Sequence, residues 1–123
     1  MRVVQLLVCP VFAWFATLQW NDPDAMPWLL VYGLVTSLCF SGVFGKTTVV
    51  GSAVLAVVCI SWATVLSFEV TDHIIQRSGT KGTLFELAED EVAREVGGLG
   101  LAGMWCIVSA IHAVRKRRWR DDT

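Results

Sequence analysis

The sequence predicts an all-α integral membrane protein with four transmembrane helices. Of its 123 residues, 54% are apolar and only 17% are charged, whereas soluble domains carry about 25% charged residues. The charges are confined to a few segments, which leaves four long stretches without Asp, Glu, Lys or Arg. Because a helix needs about 20 apolar residues to cross the hydrocarbon core, each stretch has the length of one span.

We therefore expect a single membrane domain, residues 1–123, with little room for another fold. The first apolar run follows Arg2, as in a signal peptide, but it ends in "LQW" and lacks a small-residue cleavage site. It is expected to remain as helix one. The predicted helices lie at about residues 3–20, 27–44, 47–68 and 97–114.

The distribution of Lys and Arg predicts the orientation, since basic residues in short loops are retained on the cytoplasmic side. Three basic residues fall on one side, together with nine acids. Seven fall on the other side, namely Arg2, Lys46, Arg115, Lys116, Arg117, Arg118 and Arg120. This asymmetry predicts that both termini, including a basic tail at 115–123, are cytoplasmic.

An amphipathic helix is predicted at about residues 84–95, on the outer side and before the last span. Thr83 followed by Glu86 forms a capping box. Apolar residues then recur at helical spacing, at Leu84, Leu87, Ala88 and Val92. The opposite face is charged, which indicates a helix that lies at the outer interface or continues into helix four.

The turn between the first two apolar stretches carries more polar groups than a turn requires. In "QWNDPD", Asp22 can cap helix two while Pro23 occupies its first position. That structural role does not account for Gln19, Asn21 and Asp24 together, because one cap satisfies one helix end.

Two segments resemble the transmembrane protein 220 family. They are Q-x-N-D-P-D at 19–24, with Trp28 and Tyr32 after it, and "EDEVAREVGGL" at 89–99. That family has a Q-x-N-D-P-D turn between its first two helices and an acidic cluster running into R-E-[LV]-x-G-L before its last. The resemblance implies a small multi-helix membrane protein and no particular activity.

The two polar segments should share the outer face and form one site, because helix four begins where helices one and two are joined. The planar donors of Arg94 can bridge two carboxylates as a structural clamp, but one Arg cannot neutralise four acids. The surplus oxygens suit a divalent cation such as calcium or magnesium, or a cationic partner segment. A solvated acidic rim is the alternative. The predicted metal ligands are Asn21, Asp22, Asp24, Glu91 and Glu95.

Helix four is expected to lie centrally in the bundle. Gly98, Ala102, Cys106 and Ala110 recur every fourth residue, and such small residues let membrane helices approach closely. "GLGLAG" at 98–103 matches a dinucleotide-binding pattern, but that pattern has meaning only after a strand. The four cysteines all lie in the apolar stretches without metal-ligand spacing, so we expect packing roles for them.

The tail "RKRRWR" follows directly on a membrane helix. It serves as a topology signal and headgroup anchor, and it can also bind anionic lipids, at about 1 kcal/mol per basic residue. Membrane lipids are thus expected partners, and another membrane protein or a second copy of the chain is possible. A nucleic-acid partner is not expected. The candidate lipid-binding residues are Arg115, Lys116, Arg117, Arg118 and Arg120.

Two functions remain open at this point. The first is a non-enzymatic accessory or scaffold subunit with an acidic outer site for a partner or cation. The second is a membrane-embedded enzyme or carrier that uses the outer carboxylates. A carrier usually places ionisable groups near the bilayer midplane, and the four apolar stretches have none. The sequence therefore favours the first function.

Overall fold

The computed structural model of the protein describes residues 2–21, 25–77 and 91–121. These residues form four α-helices and one turn of 3-10 helix, Gln19–Asn21, which follows the first of them. The described part of the chain contains no strand. The α-helices are α1 (Arg2–Leu18), α2 (Ala25–Val43), α3 (Val49–Arg77) and α4 (Glu91–Asp121).

All four helices are long and apolar enough to span a membrane, and the predicted all-α membrane fold is confirmed. The spans are Arg2–Asn21, Ala25–Val43, Val49–Glu69 and Ala93–Arg120. Many of the largest apolar side chains face outward, where hydrocarbon rather than water would surround them. Examples are Leu30, Val57 and Met104.

Two helices continue beyond the apolar stretches that predict them. α3 extends to Arg77, and its last residues, "EVTDHIIQR", contain no Gly or Pro that would end a helix. α4 begins at Glu91 and continues through the basic tail to Asp121. Of the predicted outer helix at 84–95, residues 91–95 are part of α4, and the rest lies outside the described residues.

The turn between α2 and α3 is fixed by a glycine. Gly45 has a φ of 73°, which is the left-handed conformation that Gly adopts without steric cost. Its N–H donates to the carbonyl of Gly42 at 2.9 Å, and Lys46 N–H donates to that of Ser41 at 3.0 Å. This pair of hydrogen bonds is the Schellman motif that satisfies the last carbonyls of a helix.

The helices pack as two hairpins. α1 packs mainly on α2, and α3 packs mainly on α4. Large side chains join the hairpins: the rings of Trp28 and Trp62 stack with centroids 5.0 Å apart. In addition, Trp105 Nε1 donates a hydrogen bond to Cys39 Sγ at 2.9 Å. The core is therefore a layer of aromatic and small residues between the hairpins.

Small residues of α4 lie in this core. Ala102 and Cys106 are fully buried, and a Cβ at Gly103 would come within 2.8 Å of Ile60 Cδ1 on α3. The four cysteines are free thiols, and Cys39 and Cys59 are buried together with Cys106. Such thiols act in packing as small apolar groups.

Most hydroxyl side chains in the helices are satisfied by their own backbone. Thr36 Oγ1 donates to the carbonyl of Tyr32 at 2.7 Å, and Ser52 Oγ donates to that of Thr48 at 2.9 Å. Ser109 differs: among the described residues, its Oγ is the buried side-chain atom left without a hydrogen bond. Unpaired polar atoms are costly in an apolar environment.

Candidate functional site

A cavity of about 420 Å³ lies at the end of the bundle where α1 ends and α4 begins. We refer to it as the polar–aromatic pocket. Apolar, aromatic and charged side chains line it, and they come from α1, the 3-10 turn, α2 and α4. Its lining residues are Phe15, Leu18, Gln19, Tyr32, Arg94, Glu95, Gly97, Gly98 and Leu101.

Aromatic rings form one wall of this pocket. Tyr32 is only 2% exposed, and its ring meets that of Phe15 edge to face at 5.8 Å between centroids. On its other side it stacks with Trp28 at 6.3 Å, which in turn stacks on Trp62. Aromatic pairs contribute about 0.5–1.5 kcal/mol beyond their buried area. The Tyr32 ring is therefore held by a ring of α1 and by a ring of its own helix, and Trp62 of α3 supports the second of these.

Gly98 gives the Tyr32 hydroxyl its room. A Cβ at residue 98 would overlap the hydroxyl oxygen of Tyr32. By contrast, a Cβ at Gly97 or Gly100 would meet nothing within 4 Å. The glycine that the sequence marks as a helix-packing residue thus admits a polar group of α2 against the backbone of α4.

The polar side chains of the pocket come from two segments that are far apart in the sequence. Gln19 extends from the turn after α1, whereas Arg94 and Glu95 lie near the start of α4. Glu95 is partly buried and close enough to Tyr32 to interact with it electrostatically. One pocket therefore joins the two segments that the sequence singles out, "QWN" and "RE".

Not every predicted metal ligand falls within the described residues. Asn21 ends the 3-10 turn with an exposed side chain. Asp22 and Asp24 lie outside the described residues, as does the side chain of Glu91, whose backbone begins α4. The clamp role of Arg94 needs these carboxylates and stays a prediction. Within the described residues, no group of three or more His, Cys, Asp or Glu could hold a metal.

A second cavity, of about 560 Å³, lies at the opposite end of the bundle. We refer to it as the basic cavity. α1 begins there, α2 turns into α3 there, and α4 ends there. Its lining residues are Arg2, Gln5, Gly42, Gly45, Thr47, His112, Ala113, Arg115, Lys116 and Trp119.

Sequence reasoning assigned no site role to two of the residues that shape these cavities. Gln5 is the only amide side chain in α1, and Tyr32 is the only tyrosine of the chain. Both lie inside apolar stretches, where a polar group needs a partner. That requirement was the available signal. The glycines that make room for these two side chains, Gly42 and Gly98, are identified only by the packing.

Comparison with protein families gives one match. The family model described as "Transmembrane family 220, helix" matches residues 11–111, which include α2, α3, most of α4 and the second half of α1. No curated protein and no solved structure matches the chain significantly.

Proposed function

The chain belongs to transmembrane family 220, and from that premise we propose that it is a small non-enzymatic multi-pass membrane protein. We further propose that it acts as an accessory or scaffold subunit, and that its polar–aromatic pocket receives a cation or a cationic segment of a partner. The observation that carries the proposal is that Gln19, Arg94 and Glu95 line one pocket with Tyr32.

The charges around the pocket favour a positively charged ligand. Arg94 and Glu95 line the pocket, and the two segments that form it carry three more carboxylates in the sequence: Glu91 shortly before Arg94, and Asp22 and Asp24 shortly after Gln19. A surplus of negative charge next to lipid is costly unless it is hydrated or paired. The Phe15 and Tyr32 rings line the same pocket, and aromatic rings attract a cation that meets their faces. A divalent cation or a partner's basic side chain would meet both requirements.

Binding is favoured over transport by the polar content of the bundle interior. The buried polar side chains of the described residues are Gln5, Ser52 and Ser109, and none of these ionises. Carriers of ions and protons use ionisable groups inside the membrane. The proposed ligand would therefore be held at the end of the bundle and would not be passed through it.

Titration calorimetry tests this function. Purified protein would be titrated with calcium, magnesium, zinc and a short oligo-arginine peptide, and then the Glu95→Gln variant would be titrated in the same way. Glu69→Gln is the matched control. Glu69 lies on α3, toward the same end of the bundle as the pocket, and its exposed side chain does not line the pocket. We expect affinity for at least one probe to fall about tenfold, roughly 1.4 kcal/mol, in Glu95→Gln alone. An equal loss in both variants, or no binding of any probe, would contradict the proposal.

We also propose that both termini face the cytoplasm. The proposal rests on seven basic residues against three, and it is supported by the convergence of Arg2, Arg115 and Lys116 on one cavity. In intact cells, an impermeant thiol reagent should label a cysteine introduced at Ser78 and should not label one introduced at Thr123. The reverse pattern would move the polar–aromatic pocket to the cytoplasmic side.

A further inference from the structure

The basic cavity has a concentration of positive charge. Arg2, Arg115 and Lys116 line it together with His112. Its lining residues, as far as the structure describes the chain, include no Asp or Glu. These cations come from both ends of the chain, and the fold rather than the sequence brings them together. Like charges held close together favour an anion between them.

The distance between two of these cations is bounded by Gly45. Arg2 Nη2 lies 3.3 Å, and Lys116 Nζ 3.4 Å, from the position that a Cβ would occupy at Gly45. The two nitrogens are therefore no more than 6.7 Å apart, the sum of those distances. Lys116 Nζ donates to the Gly45 carbonyl at 3.3 Å, and an ammonium has further donors to offer. The absence of a Cβ at Gly45 keeps the space between them open.

Neutral hydrogen-bonding groups lie deeper in the same cavity. Gln5 is 2% exposed, and among the described residues its one hydrogen bond runs from Nε2 to Thr47 Oγ1 at 3.4 Å. Most N–H···O hydrogen bonds in proteins have a donor–acceptor distance of about 2.7–3.2 Å, so this one is long. Gly42 makes room for the amide, since a Cβ there would overlap it. A buried amide with one long hydrogen bond has capacity left for a ligand.

The unpaired hydroxyl of Ser109 belongs to the same region. Ser109 is one turn before His112 and Ala113 on α4, and residues three and four apart share a helix face. Its Oγ is buried without a hydrogen bond among the described residues. The helix face that forms one side of the cavity therefore carries one more polar group, a turn deeper in the bundle.

We propose that the basic cavity is a binding site for a phosphate group carried by an anionic phospholipid. Arg2, Arg115 and Lys116 supply the charge, and Gln5 and Thr47 supply neutral hydrogen bonds. A volume of about 560 Å³ is within the range of small-molecule sites, about 300–1,000 Å³, so a headgroup fits beside the phosphate. Arg suits this role because its planar donors match phosphate oxygens.

A lipid is favoured over a soluble phosphate compound because of where the cavity lies. It is located at one end of a bundle of membrane spans, and basic pockets between such helices bind anionic headgroups. This proposal differs from general attraction by the tail, since it assigns Arg115 and Lys116 to a formed site and leaves Arg117 and Arg118 outside it. It also uses none of the residues of the polar–aromatic pocket.

The test compares substitutions inside and outside the cavity at equal charge. Full-length protein in a zwitterionic detergent would be titrated with dioleoyl phosphatidylglycerol, with dioleoyl phosphatidylcholine and with glycerol 3-phosphate, and bound ligand counted by native mass spectrometry. The cavity variants are Arg2→Gln and Arg115→Gln. The controls are Arg117→Gln and Arg118→Gln, which remove the same charge and lie in the same tail as Arg115. Circular dichroism confirms that each variant is folded.

We expect phosphatidylglycerol to bind at least about tenfold more tightly than phosphatidylcholine, which corresponds to roughly 1.4 kcal/mol. Each cavity variant should lose most of that preference, and each control should keep it. Equal tightness for glycerol 3-phosphate would assign the phosphate site to a soluble compound and overturn the lipid assignment. Equal losses in cavity variants and controls, or no preference in the parent protein, would overturn the site itself.

Discussion

The two ends of the bundle are held together by different kinds of contact. At the polar–aromatic pocket, the rings of Phe15, Tyr32, Trp28 and Trp62 form a continuous row across three helices. At the basic cavity, the contacts between elements are polar and long, such as Gln5 to Thr47 at 3.4 Å and Lys116 to Gly45 at 3.3 Å. The first end should therefore carry the stability of the bundle, whereas the second is free to bind.

The side chains at the two ends also differ in how rigid they are. An aromatic ring has two side-chain torsions and is fixed by its neighbours, but Arg and Lys side chains keep rotamer freedom that a ligand must reduce. A rigid pocket adds selection by shape to selection by charge. A flexible basic cavity selects by charge and tolerates variation in the rest of the headgroup.

The largest expected effect is the loss of a ring from the aromatic row. Trp28 is 1% exposed, and Trp28→Ala should lower the free energy of unfolding by about 3–5 kcal/mol, as for other buried aromatic residues. The measurement is an unfolding titration, in which dodecyl sulfate is added to the protein in a mild detergent and the loss of helix is monitored by circular dichroism.

The control for that change is Trp14→Ala. Trp14 is 64% exposed on α1, so its removal should change the free energy of unfolding by less than about 1 kcal/mol. Similar losses for Trp14→Ala and Trp28→Ala would mean that the aromatic row does not dominate the stability of its end.

The next effect concerns the glycine beneath the Tyr32 hydroxyl. Gly98→Ala should destabilise the protein by about 1–3 kcal/mol, because the Tyr32 ring cannot move away from the added methyl group. Gly100→Ala is the control on the same helix, since a Cβ there meets nothing within 4 Å. It should be neutral or stabilise the helix by about 0.5–1 kcal/mol. Thermal unfolding of both variants distinguishes them, and equal midpoints would remove the proposed role of Gly98.

A smaller effect is expected for the matching glycine at the other end. A Cβ at Gly42 would overlap the Gln5 amide, but this amide ends a flexible side chain beside a cavity and can move aside. Gly42→Ala should therefore cost about 1 kcal/mol or less, below the typical overpacking penalty. Gly33→Ala, with open space around the added methyl, is its control. A loss at Gly42 as large as that at Gly98 would show that both ends are equally rigid.

The sequence predicted the helices well, but it predicted the contacts within each end of the bundle only in part. Long charge-free stretches can be recognised because a charge in hydrocarbon is expensive, so four spans follow from counting. That the turn after α1 and the start of α4 lie at the same end of the bundle was also predictable, because the direction of successive helices alternates. The Tyr32–Gly98 and Gln5–Gly42 contacts were not, since they depend on how the helices are rotated. Helical spacing in a uniformly apolar span does not reveal that rotation.

The smallest effect on stability is expected for Lys116→Gln, and it separates holding the fold from binding a ligand. The Lys116 side chain is exposed, and its hydrogen bond to Gly45 is long, so its loss should cost at most about 1 kcal/mol. The turn keeps its own support, because Gly45 is left-handed and the two Schellman hydrogen bonds remain. Lipid selectivity should nevertheless fall in this variant, since one of the three cavity cations is gone. A large drop in unfolding midpoint would instead make Lys116 a structural tether, and the contrast between the two ends would then be wrong.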